Sequence, residues 1–194
     1  MSSIRRLVLS LALLAAVAST ACGDPPDKEM QQAQGAIDAA RAAGADQYAR
    51  EEFTAAEDAL KRSHTAVDQR DYRQALNAAL DARERAQAAA KESVSKKATA
   101  RADASKALAD ADTDLHDARA KLKTAEAAHV PARTLTIGRK AIDTGETAVQ
   151  EARTAFEKGD YLGSIETARG VSSHLRPVTH DLDAATVAGG RRRH

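Results

Sequence analysis

Apolar residues in this chain recur at heptad spacing and, after the first two dozen residues, almost never in runs. Leu108, Leu115 and Leu122 step one heptad at a time, with Ala104, Ala111, Ala118 and Ala125 in the complementary seam positions. This is an a/d pattern with a large residue at one position and a small one at the other. Past the turn signal HVPAR, where Pro131 suits the first position of a helix, a second heptad begins. Its large residues are Leu135, Ile142, Val149 and Phe156, and its small ones are Gly138, Gly145 and Ala152. An antiparallel fold-back near Val130 pairs Ala125 with Leu135, Leu122 with Gly138, Ala118 with Ile142, Leu115 with Gly145, Ala111 with Val149, Leu108 with Ala152 and Ala104 with Phe156. Every pair sets a bulky side chain against a small one, which predicts axes near the short end of the roughly 8–10 Å interhelical range. A glycine inside a helix costs about 1 kcal/mol, so these glycines point to a close approach that offsets that cost.

The same logic appears earlier in the chain. Phe53, Ala56, Leu60 and Val67 form one stripe, and Tyr72, Leu76, Ala79 and Ala86 form its antiparallel partner. Asp71 is placed to cap the second of these helices, with Gln74 at the reciprocal capping-box position. A short helix over residues 28–43 adds Ala33, Ile37 and Ala40 before Gly44 ends it. VDQRDYRQALNAALDA, starting at Val67, and FEKGDYLGSIETARGV, starting at Phe156, form an internal repeat. They share the DY turn and the apolar pairs Val67/Phe156, Leu76/Ile165 and Ala79/Ala168. KGDYLGSIETA also resembles a tetratricopeptide helix boundary, but the full signature of that repeat is absent.

Residues 71–129 contain neither Pro nor Gly and predict one helix of roughly 85 Å at 1.5 Å per residue. A break in KESVSKKATARAD, residues 91–103, is the alternative. The predicted fold is all-α: elongated antiparallel helical hairpins in a thin, Ala-rich coiled-coil bundle with one long central helix. A first helical unit over residues 30–100 is followed by a second hairpin unit over 101–178. A flexible, basic-ended tail is expected over 179–194, because Gly189 and Gly190 separate RRRH from the body.

Composition accounts for the thin seams. Beyond residue 21, Leu, Ile, Val and Phe make up only about 13% of the chain, while Ala makes up roughly a quarter. Ala is the best helix former, so long helices are favoured over a thick-cored globule. The chain has 29 basic and 28 acidic residues, a balance that gives no global field to attract nucleic acid.

The N-terminus adds an address. MSSIRRLVLSLALLAAVASTAC has a basic start at Arg5 and Arg6, an apolar run over residues 7–17 and small residues before Cys22, the layout of an export signal. It resembles a bacterial lipoprotein signal peptide over residues 1–21, whose lipidated cysteine corresponds to Cys22. Thr20 and Ala21 fit the lipobox, and Ser19 stands where Leu is usual; ordinary cleavage after Ala21 or Ala18 is the alternative. Cys22 is the only cysteine, and a lone thiol in an exported protein calls for modification or pairing. Lipidation would attach the chain to a membrane, with residues 22–29 as a short polar tether.

At AIDAARAAGADQYAREEFTAAEDAL and DYRQALNAAL, within residues 36–80, the chain resembles an Ala-rich bacterial envelope lipoprotein family, domain of unknown function 4398. Ala42, Ala43, Gly44, Ala45 and Tyr48 match its first turn and Arg50 replaces the usual Pro. Gln69, Arg70, Asp71 and Tyr72 stand for its second turn. The resemblance implies a membrane-tethered, all-helical periplasmic module and supplies no activity to carry over.

Motifs for chemistry are weak. LADADTDLHDARAKL offers Asp110, Asp112 and Asp114 at calcium-loop spacing, but Leu115 replaces the turn glycine and Lys121 the bidentate glutamate. The aspartates are therefore expected on solvated helix faces. Ser93 to Lys96 reads as SxxK without its companion motifs. His64, His116, His129, His174 and His180 are scattered and show no zinc spacing. No enzyme activity, cofactor, metal or nucleic-acid partner is expected. What is expected is a non-enzymatic, lipid-anchored periplasmic scaffold or adaptor of the bacterial cell envelope, partnered by the membrane and by an envelope protein or peptidoglycan, and open to oligomerisation. The alternative is a tetratricopeptide-like module binding a peptide or peptidoglycan, with Tyr48, Tyr72 and Tyr161 as candidate partner contacts.

Overall fold

The computed structural model describes residues 23–191; the predicted signal segment and Cys22 lie outside the described residues. Six helices and no strands are present among them: α1 (Asp27–Ala42), α2 (Ala45–Tyr48), α3 (Arg50–Asp68), α4 (Tyr72–Ala127), α5 (Ala132–Glu157) and α6 (Tyr161–Arg191). The chain divides into two compact units between Val94 and Ser95. Helix α4 contributes its N-terminal part to the first and its C-terminal part to the second.

The long helix is continuous through the segment where a break was the alternative. From residue 94 to 103 only Ala100 is buried. Packing does little there, so the helix stands on the intrinsic preference of Ala, Lys and Arg for helical backbone.

In the first unit, Met30, Ala33, Ile37 and Ala40 of α1 meet Phe53, Ala56, Ala59 and Leu60 of α3 and Ala79, Ala82, Ala86 and Ala89 of α4. Alanine supplies all four α4 positions, so α4 lies close to its neighbours and buried polar groups can reach across. Ser63, fully buried, donates from Oγ to the Ala75 carbonyl at 2.7 Å. Ser93, also fully buried, donates to the Ala43 carbonyl at 2.7 Å. The second bond satisfies an acceptor left open at the end of α1. It also shows the serine of the SxxK pattern to be a crosslink between helices.

The second unit is a three-helix arrangement, where the heptads alone predicted a two-helix hairpin. Leu108, Ala111, Leu115 and Ala118 of α4 share one core with Ile142, Val149 and Ala152 of α5 and with Ala168, Val171 and Leu175 of α6. Beyond it, Ala125, Val130 and Leu182 form a second cluster against which Leu122 and Leu135 pack. Residues 179–191 thus lie within helix α6, where a flexible tail was expected. The apolar stripe Val171, Leu175, Val178, Leu182 continues past Pro177, and Leu182 is only 1% exposed. Pro177 has no N–H to donate to the Ser173 carbonyl, and burial of the stripe outweighs that single lost bond. Pro131 also differs in detail: it is the N-cap of α5, one residue before the expected position.

Both DY turns are built by the same hydrogen bonds. In the first, the amides of Gln69, Arg70 and Asp71 donate to the carbonyls of Thr65, Val67 and Ala66. In the second, Lys158, Gly159 and Asp160 donate to Thr154, Phe156 and Ala155. Each is a Schellman closure with a left-handed residue, Arg70 at φ 59° or Gly159 at φ 81°. Asp71 and Asp160 then cap the next helix, accepting from the amides of Gln74 and Gly163 at 3.0 Å each. The reciprocal arm expected from the Gln74 side chain does not form, because the Asp71 amide already donates to Ala66. Arg70→Gly is expected to raise the melting temperature by about 3 °C, since only a residue with a Cβ is strained at that φ. Thermal circular dichroism checks it, and a lowered melting temperature would contradict the turn geometry.

Candidate functional site

Helices α4 and α5 present a ladder of charge along their shared edge. Asp112 accepts from Arg153 Nη2 at 2.8 and 2.7 Å on its two oxygens. Glu146 accepts from Arg119 Nε and Nη2 at 3.0 and 2.6 Å. Glu126 accepts from Arg139 in the same forked manner at 3.1 and 2.6 Å. The rungs climb α4 and descend α5 one heptad at a time. Each is displaced by the same steps from a predicted seam pair: Leu108/Ala152, Leu115/Gly145 and Leu122/Gly138. The ladder therefore reports the register that the large-small pairing implied.

Within that register the glycines serve more than one neighbour. A Cβ on Gly138 would stand 3.3 Å from Leu122 Cδ1, the predicted partner, and equally close to both δ carbons of Leu182 on α6. At Gly145 the nearest atoms are Leu175 Cδ1 at 3.4 Å and Val171 Cγ1 at 3.6 Å. The space expected for Leu115 is thus filled by α6. Leu115, Ile142 and Val149 are buried, whereas Leu108, Leu122, Leu135 and Phe156 are half-buried.

A cleft of about 440 Å³ opens beside the ladder, floored by Leu115 and Val149 and flanked by the Asp112–Arg153 and Arg119–Glu146 pairs. These charges neutralise one another and are well solvated, so each pair contributes no more than about 1 kcal/mol. They set helix pairing and leave no unbalanced charge to draw a ligand.

The DADTD aspartates point three ways. Asp110 accepts from Lys106 on its own helix at 2.6 Å, Asp112 from Arg153 on α5, and Asp114 lies 3.5 Å from Arg176 on α6. Asp112 and Asp114 thus reach across to neighbouring helices, while Asp110 stays on its own helix face. No group of His, Cys, Asp and Glu able to hold a metal occurs among the described residues. On the α4–α6 edge, Lys121 donates to Asp183 at 2.7 Å. That bond raises the Lys121 pKa above its ordinary value, with the charges of Asp183 and Asp117 adding and partial desolvation opposing. Because the folded pKa is raised, the contribution is present through neutral pH and is lost as pH rises through it.

The three tyrosines take different positions at turns. Tyr48 is 7% exposed and lies against Gly44, whose Cβ would touch its ring at 3.3 Å. Gly44 at φ 86° needs that conformation to turn the chain. Tyr161 packs edge-on against Phe156 across the second DY turn, with ring centres 5.3 Å apart. Tyr72 is half-buried at the first residue of α4. The functional-looking residue that sequence reasoning missed is Arg41. It donates to Glu57 at 2.7 Å and lies 5.3 Å over the Phe53 ring.

The family model described as "Domain of unknown function (DUF4398)" matches residues 28–105. No curated protein and no solved structure matches the chain.

Proposed function

From a chain whose residues 28–105 are a domain of that family, we propose a lipid-anchored helical scaffold or adaptor of the bacterial cell envelope, facing the periplasm and working without catalysis. The observation that carries this reading is the placement of Cys22. It is the only cysteine, it follows an apolar run headed by Arg5 and Arg6, and α1 begins at Asp27. An acyl group there would hold the helical body a few residues from the bilayer, with Pro25 and Pro26 stiffening the tether. None of the described helices is long and apolar enough to cross a membrane; in this reading the acyl group supplies the attachment.

The exposed faces suit a docking or spacing role. They carry interleaved acids and bases, and the ion pairs fix helix register. A binding module for a peptide or peptidoglycan would call on the tyrosines, but Tyr48 is spent packing its own turn and Tyr161 packs on Phe156. An envelope protein or peptidoglycan would therefore be met through the charged helix faces.

Replacement of Cys22 by Ser tests the anchor. The wild-type chain is expected to sediment with envelope membranes and Cys22→Ser to move to the soluble fraction. Unchanged sedimentation of Cys22→Ser would overturn the lipid-anchor reading.

A further inference from the structure

We infer that the second unit is a diverged second copy of the module in the first, so that the chain is a tandem of one three-helix design. The copies are displaced by the interval from Asp71 to Asp160. Through that interval the buried residues of α3 fall on α5: Phe53 on Ile142, Ala56 on Gly145, Leu60 on Val149 and Ser63 on Ala152. The third helices agree along their length, with Ala79 on Ala168, Ala82 on Val171, Ala86 on Leu175 and Ser93 on Leu182, each pair buried. The first helices agree once a four-residue difference is allowed: Met30 on Leu115, Ala33 on Ala118, Ile37 on Leu122 and Ala40 on Ala125. The second unit therefore has four more residues between its first two helices than the first unit, whose shorter connection holds the single-turn helix α2.

Shared heptads alone would follow from any pair of three-helix units, but exposed identities do not follow from packing. Arg50 and Arg139 correspond, as do Thr65 and Thr154, and Asp71 and Asp160, all exposed, alongside the half-buried Tyr72 and Tyr161. Glu57 and Glu146 also correspond, and each accepts from an arginine on the first helix of its own unit, Arg41 at 2.7 Å and Arg119 at 2.6 Å, although the two arginines occupy different positions along that helix. The cleft beside that pair recurs as well, with volumes of about 380 and 440 Å³. Glu57, Leu60, Lys61 and His64 line one where Glu146, Val149, Gln150 and Arg153 line the other. Between equivalent positions the second copy has Val171 and Leu175 for Ala82 and Ala86 and Gly163 for Gln74, with the burial of the apolar positions kept.

A tandem design makes stability a sum over units, each with its own opening equilibrium. The test uses the full-length chain and amide hydrogen exchange read by mass spectrometry, with the equivalent variants Leu60→Ala and Val149→Ala. Each is expected to speed exchange about tenfold or more in its own unit and leave the other within about twofold. A third variant of the full-length chain grafts residues 154–164 onto positions 65–75, carrying the whole DY turn across. The grafted amides that close the turn are expected to keep native protection within about threefold. Acceleration of both units by either single variant, or loss of protection throughout residues 50–93 on grafting, would overturn the inference.

Discussion

Leu175→Ala is expected to destabilise the second unit by about 3–4 kcal/mol. Leu175 is fully buried, and its two δ carbons lie 3.4 and 3.6 Å from where a Cβ on Gly145 would be. Gly145 has no side chain to relax into the vacated space, so the cavity persists and the cost falls toward the upper part of the usual range. Urea unfolding followed by circular dichroism measures it, with Leu162→Ala as the control. Leu162 is 46% exposed, so its truncation is expected to cost under about 0.5 kcal/mol. Equal costs for the two would mean that α6 does not fill the glycine seam.

Gly145→Leu is expected to cost about 2 kcal/mol. The Cβ alone makes ordinary contact with Leu175 and Val171, so the remaining methyl groups must displace α6 or adopt a poor rotamer, at about 1–3 kcal/mol or more. Removing a helix-interior glycine returns about 1 kcal/mol, which keeps the net effect moderate. The same geometry predicts the opposite sign for Gly145→Ala, which takes the helix-propensity gain without the clash. Glu146→Ala removes one exposed pair with Arg119 and is expected to cost less than about 1 kcal/mol. Melting temperatures ordered Ala above wild type above Leu at position 145 support the packing; a Leu variant as stable as Glu146→Ala contradicts it.

The all-helical class and the long helix could be read from the chain because Ala-rich heptads without Pro or Gly leave the backbone few options. The α4–α5 heptads alternate large and small residues out of step, and Leu122 does stand 3.3 Å from a Cβ on Gly138, while at Gly145 Leu175 and Val171 of α6 take the place expected for Leu115. A second signal for the α4–α5 register was present and unread. Asp112, Arg119 and Glu126 alternate in sign at heptad spacing, as do Arg139, Glu146 and Arg153, and antiparallel pairing matches every charge.

The third helix of the second unit was obscured by the success of the two-helix pairing. Gly138 and Gly145 already had partners in Leu122 and Leu115, so nothing in the heptads demanded Leu182 and Leu175. The paired glycines 189 and 190 then suggested a detached tail, where α6 continues through a stripe buried as far as Leu182. Buried serines were illegible for a simpler reason. Ser63 and Ser93 are polar by composition, and when buried each hydroxyl finds a carbonyl, of Ala75 or Ala43, at 2.7 Å. No periodicity announces such a bond.

Tyr48 and Tyr161 show a structural use for aromatic residues in a chain with few of them. Scarcity made them candidate contacts, yet turns also need an aromatic body to cover a left-handed residue or bridge adjacent helix ends. Tyr48 beside Gly44 and Tyr161 beside Phe156 pack in that way.

The proposed function stands on the chemistry of one sulfur atom, and the intact mass of the chain extracted from envelope membranes addresses it most directly. The account predicts a polypeptide beginning at Cys22 and heavier than its sequence by a diacylglyceryl group, with or without a further N-acyl chain. A mature chain beginning at residue 19 or 22 at its bare sequence mass, or one retaining residues 1–21, would contradict it.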